Sequence, residues 1–294
     1  MDLRNVETYL RVAELKSFTK AAKELNYAQS TVTMQIQQLE KELGYRLFDR
    51  IGKTVSLTQP GEDFLQYAYT LLRTFENAKT LDRDPTKLRG TLRVGVLESL
   101  LFAAMLDLLP DFRSAFPNAE LQLKMDQTTE LVQQLKENRL DMVYLSADLN
   151  TDPDLQCCYR RREELVFLCA PDHPAAKKTL KELWNYEFVV TERTGICYGR
   201  LLELAAKHDA VLRTCVEVDS TVAIIDAVQR GLGIGFLPQY AVQKQLKTGR
   251  LVRLETNRPP QYYYSQILCH KQHWMSPLME GMIRIITQNR QPSL

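Results

Sequence analysis

The sequence predicts an α/β protein with a mainly helical N-terminal head, joined by one long helix to a two-part α/β domain. Three observations predict it. Before residue 45, apolar side chains recur at helical spacing in three short runs. A 4-3 apolar alternation then spans residues 64–78. From Thr91 onward, short apolar runs of period two alternate with helical runs, the pattern of a parallel or mixed sheet covered on both faces. The length of 294 residues fits two domains at roughly 150 residues each. Hydrophobic residues at 45% and charged residues at 25% allow full cores and exclude a disordered chain.

The first helical run carries Leu3, Val6, Leu10 and Ala13 on one face. Ser17 or Thr19 can cap a short second helix whose inward face is Ala21, Ala22 and Leu25. The two alanines suit a tight helix crossing. Asn26-Tyr27-Ala28 makes the turn into a third helix, with Val32, Ile36, Leu39 and Leu43 buried and Gly44 as its terminator. The outward side of that helix is Ser30, Thr31, Thr33, Met34, Gln35, Gln37 and Gln38, nearly uncharged but rich in hydroxyls and amides. Such side chains suit base edges in a major groove, Gln against adenine and the Thr methyl against thymine. A short hairpin follows, with Gly52-Lys53 at its tip, and Arg50, Lys53 and Thr54 are placed to reach phosphates or the minor groove. The head is thus read as a winged helix-turn-helix spanning residues 1–58. Charge alone does not announce this partner. The net charge is +2, and residues 1–60 hold nine Lys/Arg against seven Asp/Glu, so the reading rests on the motif.

Thr58 can cap the linker helix, predicted within residues 59–88, with Pro60 tolerated in its first turn. Phe64, Ala68, Leu71, Phe75 and Ala78 form its seam, either for a dimer or for packing on its own head.

The third region, 89–294, opens with a strand holding Leu92, Val94 and Val96 on one face. A helix from Ser99 to Ala115, a strand at 120–125, a helix at 129–138 and a strand at 142–145 follow. A second set begins near Glu164 and includes Phe188-Val189-Val190, a helix from Cys197, a strand at 214–218 and a helix from Thr221, closing at Pro238. The chain then returns through Tyr263–Cys269 and a helix at 276–287. This divides the region into subdomain I, about 91–161 with 267–294, and subdomain II, about 162–266. The Tyr262-Tyr263-Tyr264 run reads as an edge or core strand.

Two blocks carry a resemblance. Phe18-Thr19-x-Ala21-Ala22-x-x-Leu25, Gln29-Ser30-x-Val32-Thr33-x-x-Ile36-x-x-Leu39-Glu40-x-x-Leu43-Gly44-x-x-Leu47-Phe48-x-Arg50 and Leu57-Thr58-x-x-Gly61 resemble the DNA-binding domain of LysR-type transcriptional regulators. Phe112-x-x-x-Phe116-Pro117, Leu135-x-x-x-Arg139-Leu140-Asp141, Ala170-Pro171-x-His173-Pro174 and Gly231-x-Gly233-Ile234-x-x-Leu237-Pro238 resemble its effector domain, of periplasmic-binding-protein-like fold. The resemblance covers essentially the whole chain. It departs at Ala28, where the family often has a capping Ser, and at Thr33 and Met34.

The resemblance implies a homodimer or homotetramer on a pseudo-palindromic double-stranded DNA operator, with RNA polymerase as a further partner it allows. The DNA-reading residues are expected to be Gln29, Ser30, Thr31, Thr33, Met34, Gln37, Arg50, Lys53 and Thr54. A small-molecule effector, expected to be an anionic metabolite, belongs in the cleft at strand ends and helix N-termini. By family position its site comprises Ser99, Leu100, Thr128, Thr129, Ser146, Gly195, Ile196, Cys197 and Thr221. Each hydroxyl also has a plainer reading, a helix N-cap. Cys197, at a predicted helix start, resembles the reactive cysteine of peroxide-sensing members, which makes redox sensing the alternative. The residue nine positions on is Ala206, not the second cysteine of those proteins.

Other classes lose ground. A solute receptor would need an export signal, and the charged N-terminus holds no signal-peptide core. No apolar stretch approaches the roughly 20 residues of a membrane span. A cytoplasmic protein without membrane association is therefore expected, its six cysteines reduced. No catalytic triad or P-loop stands in a recognisable setting, so neither an enzyme nor a cofactor is expected. Gly231-x-Gly233-x-Gly235 follows a helix, unlike a dinucleotide fingerprint. His270-x-x-His273 lacks the company a metal needs, and the vicinal Cys157-Cys158 pair reads as packing.

Overall fold

The computed structural model describes residues 1–51, 54–79, 86–191, 193, 195–256 and 260–289. The head contains α1 (Leu3–Leu15), α2 (Phe18–Glu24) and α3 (Gln29–Leu43). Ser17 is the cap of α2, accepting the Lys20 N–H at 3.3 Å. Ala21 and Ala22 are buried where α2 meets its neighbours, small enough for close approach. Asn26 makes the turn in left-handed backbone (φ 57°), a conformation its short amide tolerates. Gly44 terminates α3 in the same region (φ 83°). The wing pairs β1 (Phe48–Ile51) with β2 (Thr54–Leu57) antiparallel, Phe48 opposite Leu57 and Ile51 opposite Thr54. Glu40 holds the approach to the wing, its carboxylate accepting the N–H groups of Leu47 (2.8 Å) and Phe48 (3.3 Å).

The linker helix α4 spans Gln59–Lys79. Thr58 caps it, accepting the Gly61 N–H at 3.0 Å while donating to the Arg46 carbonyl at 2.6 Å. The predicted seam is not one face. Phe64 and Ala68 are buried in the head's own core, Phe64 edge-on to Tyr9 at 5.2 Å between centroids. Tyr67 is 60% exposed, and Thr74 and Ala78 are also exposed. Only the second half of the seam remains outward, because the head needs the first half to close its core.

The α/β region begins with β3 (Gly90–Val96), followed by α5 (Glu98–Leu100), a π-helical turn (Leu101–Met105) and α6 (Leu106–Ala115). Then come β4 (Ala119–Met125), α7 (Thr128–Lys136) and β5 (Met142–Ala147). The next element is one 15-residue strand, β6 (Leu155–Cys169), where the sequence reading starts a strand only near Glu164. In its charged Arg160–Glu164 stretch Arg160 and Arg162 are exposed, whereas Glu163 is buried and accepts the Ser265 hydroxyl at 2.7 Å.

The chain continues through α8 (Leu180–Leu183), β7 (Glu187–Val190), α9 (Ile196–Ala206), β8 (Arg213–Glu217), α10 (Thr221–Gln229) and β9 (Ile234–Pro238). It closes with α11 (Gln239–Lys247), β10 (Val252–Arg253), β11 (Gln261–His270) and α12 (Pro277–Asn289). Neither α8 nor α11 is anticipated by the apolar pattern.

Strand order is β4-β3-β5-β11-β6-β9-β7-β8, with β10 on β6. Subdomain I buries Leu92, Val94, Val96, Met142 and Tyr144 on one sheet face and Val143 and Leu145 on the other. Subdomain II has two such layers, around Phe167, Phe188 and Phe236 and around Leu168, Val189 and Ile224. Helices thus cover both faces, as the alternation predicts. β6 and β11 pair antiparallel along the whole of β11 and carry the chain between the subdomains. The tyrosine run lies in β11, an interior strand, with Tyr263 buried.

Candidate functional site

The outer face of α3 presents Gln29, Ser30, Met34, Gln37 and Gln38 to solvent, with Thr31 and Thr33 half-buried beside them. Met34 is 60% exposed, so the apolar side chain stands in the middle of the polar face. Gln29 is braced by Thr19, whose hydroxyl donates to Oε1 at 3.1 Å. Gln35 departs from the expected outward set: the Thr8 hydroxyl donates to its Oε1 at 2.8 Å and draws it toward α1. Ala28 provides no side-chain cap, so the first-turn N–H groups of α3 lack a side-chain acceptor. Arg50 and Thr54 lie on the paired strands of the wing, Arg50 opposite Val55; their side chains, and Lys53 entirely, lie outside the described residues.

In the cleft, Ser99 at the start of α5 and Ser146 at the end of β5 share one partner. The Tyr240 hydroxyl lies 2.9 Å from Ser99 Oγ and 3.1 Å from Ser146 Oγ. Tyr263 donates to the same oxygen at 3.4 Å. Burial pushes both phenols above their ordinary range, so they remain protonated donors. Cys197, in the first turn of α9, is close enough to Tyr263 to interact electrostatically. Gly195 and Ile196 are half-buried beside it.

Glu98 crosses from subdomain I to subdomain II. Its Oε1 accepts from Ser220 Oγ at 2.9 Å, and its Oε2 accepts the N–H groups of Thr221 (2.5 Å) and Val222 (3.4 Å). The carboxylate therefore sits on the positive end of α10. A longer contact runs alongside, Gln127 Nε2 to Asp219 at 3.5 Å. It brings the start of α7, with Thr128 and exposed Thr129, toward the start of α10. Arg200 of α9 meets Asp148, just beyond β5, at 2.6 Å.

Comparison with known proteins decides the family. Residues 3–62 match the bacterial regulatory helix-turn-helix model of the lysR family, and residues 85–291 match the LysR substrate binding domain. The chain belongs to the LysR family of transcriptional regulators. Among curated relatives, the HTH-type transcriptional regulator YwqM of Bacillus subtilis is 34% identical over 290 residues, covering 96% of this chain and 97% of its own. GltR of the same organism is 30% identical over 252 residues, covering 85% and 84%. Solved structures share the fold. A full-length OxyR variant of Pseudomonas aeruginosa has a TM-score of 0.75 at 22% identity, covering 98% of this chain and 95% of its own. CbnR complexed with its target DNA has a TM-score of 0.67 at 20% identity, covering 98% and 99%.

Within this LysR regulator, the cleft differs from the expected set in three respects. Leu100 does not face it: the side chain is fully buried in subdomain I and its N–H is bonded to the Leu97 carbonyl at 3.0 Å. The N-cap reading fails for Ser99, Thr128 and Thr129, because the caps at those helices are Leu97 and Gln127 and neither helix has a side-chain cap bond. The working cap is Ser220, accepting the Ala223 N–H at 3.2 Å. Sequence reasoning missed Glu98, Tyr240 and Tyr263. Alternation within the tyrosine run singles out Tyr263 as inward-facing. For Glu98 only its place in the first turn of a helix was visible. The family landmarks do structural work: Asp141 accepts the Arg93 N–H at 2.6 Å and returns its own N–H to Arg93, tying β5 to β3. Among the described residues, no helix is long and apolar enough to cross a membrane, and no group of three His, Cys, Asp or Glu is arranged for a metal.

Proposed function

We propose that this LysR-type regulator reads a pseudo-palindromic operator with Gln29, Ser30, Thr31, Thr33, Met34 and Gln37 of α3, with Arg50, Lys53 and Thr54 of the wing on the backbone. It acts as a homodimer or homotetramer, since a two-fold protein matches a two-fold site. A small anionic metabolite controls it from the cleft between the subdomains. The observation that carries the effector reading is Glu98. The protein's own carboxylate rests on Ser220, Thr221 and Val222 across the cleft, where the N–H groups of α10 and nearby hydroxyls receive an anion. An effector carboxylate that displaces Glu98 exchanges one anion for another and changes the subdomain angle, shifting the population of DNA-binding geometries.

The test is a thermal-shift and calorimetric screen of the full chain against small metabolites, repeated on Glu98→Ala. Removing the internal competitor is expected to tighten an anionic effector about tenfold, or 1.4 kcal/mol. An effector that binds the variant more weakly is instead held by Glu98 and is cationic or neutral, which would overturn the anion assignment.

A further inference from the structure

We propose that Cys158 and Cys269 form a redox-active thiol pair that closes into a disulfide and staples together the two strands joining the subdomains. These are not the cysteine at the start of α9, and the inference does not depend on the effector reading. β6 and β11 are the strands on which any rotation of subdomain II must turn, paired from Gln261 opposite Leu165 to His270 opposite Leu155. Their register shifts between Ile267 and Leu268: Tyr159 faces Ile267 and Cys157 faces Leu268, so Cys158 has no opposite residue. It is the extra residue of a β-bulge, a place where a strand redirects one side chain. The bulge packs Cys158 against the core of subdomain I that contains buried Cys269, and the register puts Cys269 next along β11 from Leu268, the partner of Cys157. Two cysteines one register step apart on adjacent strands and packed in one core are placed to be joined.

The thiols are graded for this chemistry. The Cys269 hydrogen bond holds Cys158 below its ordinary value. Burial pushes Cys157, Cys169 and Cys215 up, Cys169 to about 11. Cys158 is half-buried at the edge of that core, whereas Cys269 is sealed within it. With a hydroperoxide as oxidant, the Cys158 thiolate attacks the terminal oxygen. An S–O bond forms, the O–O bond breaks, and the leaving alkoxide or hydroxide takes the thiol proton. Cys269 then attacks the Cys158 sulfenic sulfur; the S–S bond forms and hydroxide leaves with the Cys269 proton as water. Two thiols lose two electrons, and the hydroperoxide becomes an alcohol and water. The bond encloses all of subdomain II in one loop and fixes the register of its hinge.

Reduced full-length protein would be treated with one equivalent of hydrogen peroxide, alkylated, digested and analysed by mass spectrometry. The expected product is a peptide linked through Cys158 and Cys269, reversed by dithiothreitol, retained in Cys157→Ser and lost in Cys158→Ser. In Cys269→Ser, dimedone should trap Cys158 as the sulfenic acid. Without peroxide, Cys158 of the native protein should alkylate roughly tenfold faster than Cys169, a measurement that needs no variant to fold. A vicinal Cys157–Cys158 disulfide, first oxidation at Cys197, or both thiols still alkylatable after peroxide would each overturn the assignment.

Discussion

Gly61 has no room for a side chain: a Cβ there would lie 2.1 Å from the Leu47 carbonyl oxygen. Its own carbonyl accepts the Tyr9 hydroxyl, so this single residue joins α1, the wing approach and α4. Gly61→Ala is expected to destabilise the head by about 3 kcal/mol, read as a lower urea midpoint. Ala28 is the opposite case, a position where a side chain is missing. Ala28→Ser should provide the absent cap of α3 and add about 1 kcal/mol, seen as a higher midpoint in the same titration. On the reading face, Thr33→Ala and Gln37→Ala should each lower specific operator affinity by roughly 1–3 kcal/mol while leaving non-specific binding in place. Equal losses on specific and random DNA would assign these side chains to the backbone instead.

The linker helix shows how one element serves two surfaces. Its first half is head core, since Phe64 and Ala68 are buried among Tyr9, Phe18 and Phe48. Its second half leaves Leu71 half-buried and Thr74 and Ala78 exposed, following exposed Tyr67 at spacings of four, three and four, the spacing of a helix-pairing seam. The two halves make opposite predictions. Phe64→Ala should cost about 3–5 kcal/mol of stability through a cavity in the head. Tyr67→Lys with Leu71→Lys should leave the protomer melting temperature nearly unchanged but dissociate the oligomer in sedimentation. An intact oligomer would remove α4 from the contact. At this scale the sequence was partly readable: the 4-3 spacing announces a helix with an apolar stripe, but spacing carries no information about which stripe residues the head itself consumes.

At the scale of the molecule, charged groups bridge the cleft beside the Tyr240 and Gln127 hydrogen bonds, Glu98 on the start of α10 and Asp148 with Arg200. The second bridge is two-thirds exposed at Asp148 and worth less than about 1 kcal/mol. The first combines charge with three donors at a helix end. Glu98→Ala should therefore enlarge the radius of gyration in small-angle scattering and speed hydrogen exchange at the first turn of α10. Asp148→Asn should change neither appreciably. No change in either variant would mean that the Tyr240 hydrogen bonds and the packing of the crossing strands set the subdomain angle.

The sequence by itself determined the elements with a clear apolar period: the three head helices with their small and apolar inward faces, the wing, the linker helix, and a sheet covered on both faces. Each follows from local physics, in which side-chain spacing selects helix or strand and a Ser, Asn or Gly selects a cap or turn. The tertiary structure alone decided what distant segments do to one another. It joined Ser99, Ser146, Tyr240 and Tyr263 from four elements, some 160 residues apart, through one phenolic oxygen. It placed Glu98 on a helix 123 residues away and turned Gln35 inward to Thr8. It also ran β6 through a charged stretch that reads as loop, because β11 pairs with it there, Arg160 and Arg162 face water and buried Glu163 accepts the Ser265 hydroxyl. Hydrogen bonds across a cleft leave no periodic trace in the chain, since they depend on where elements meet and not on how each one forms.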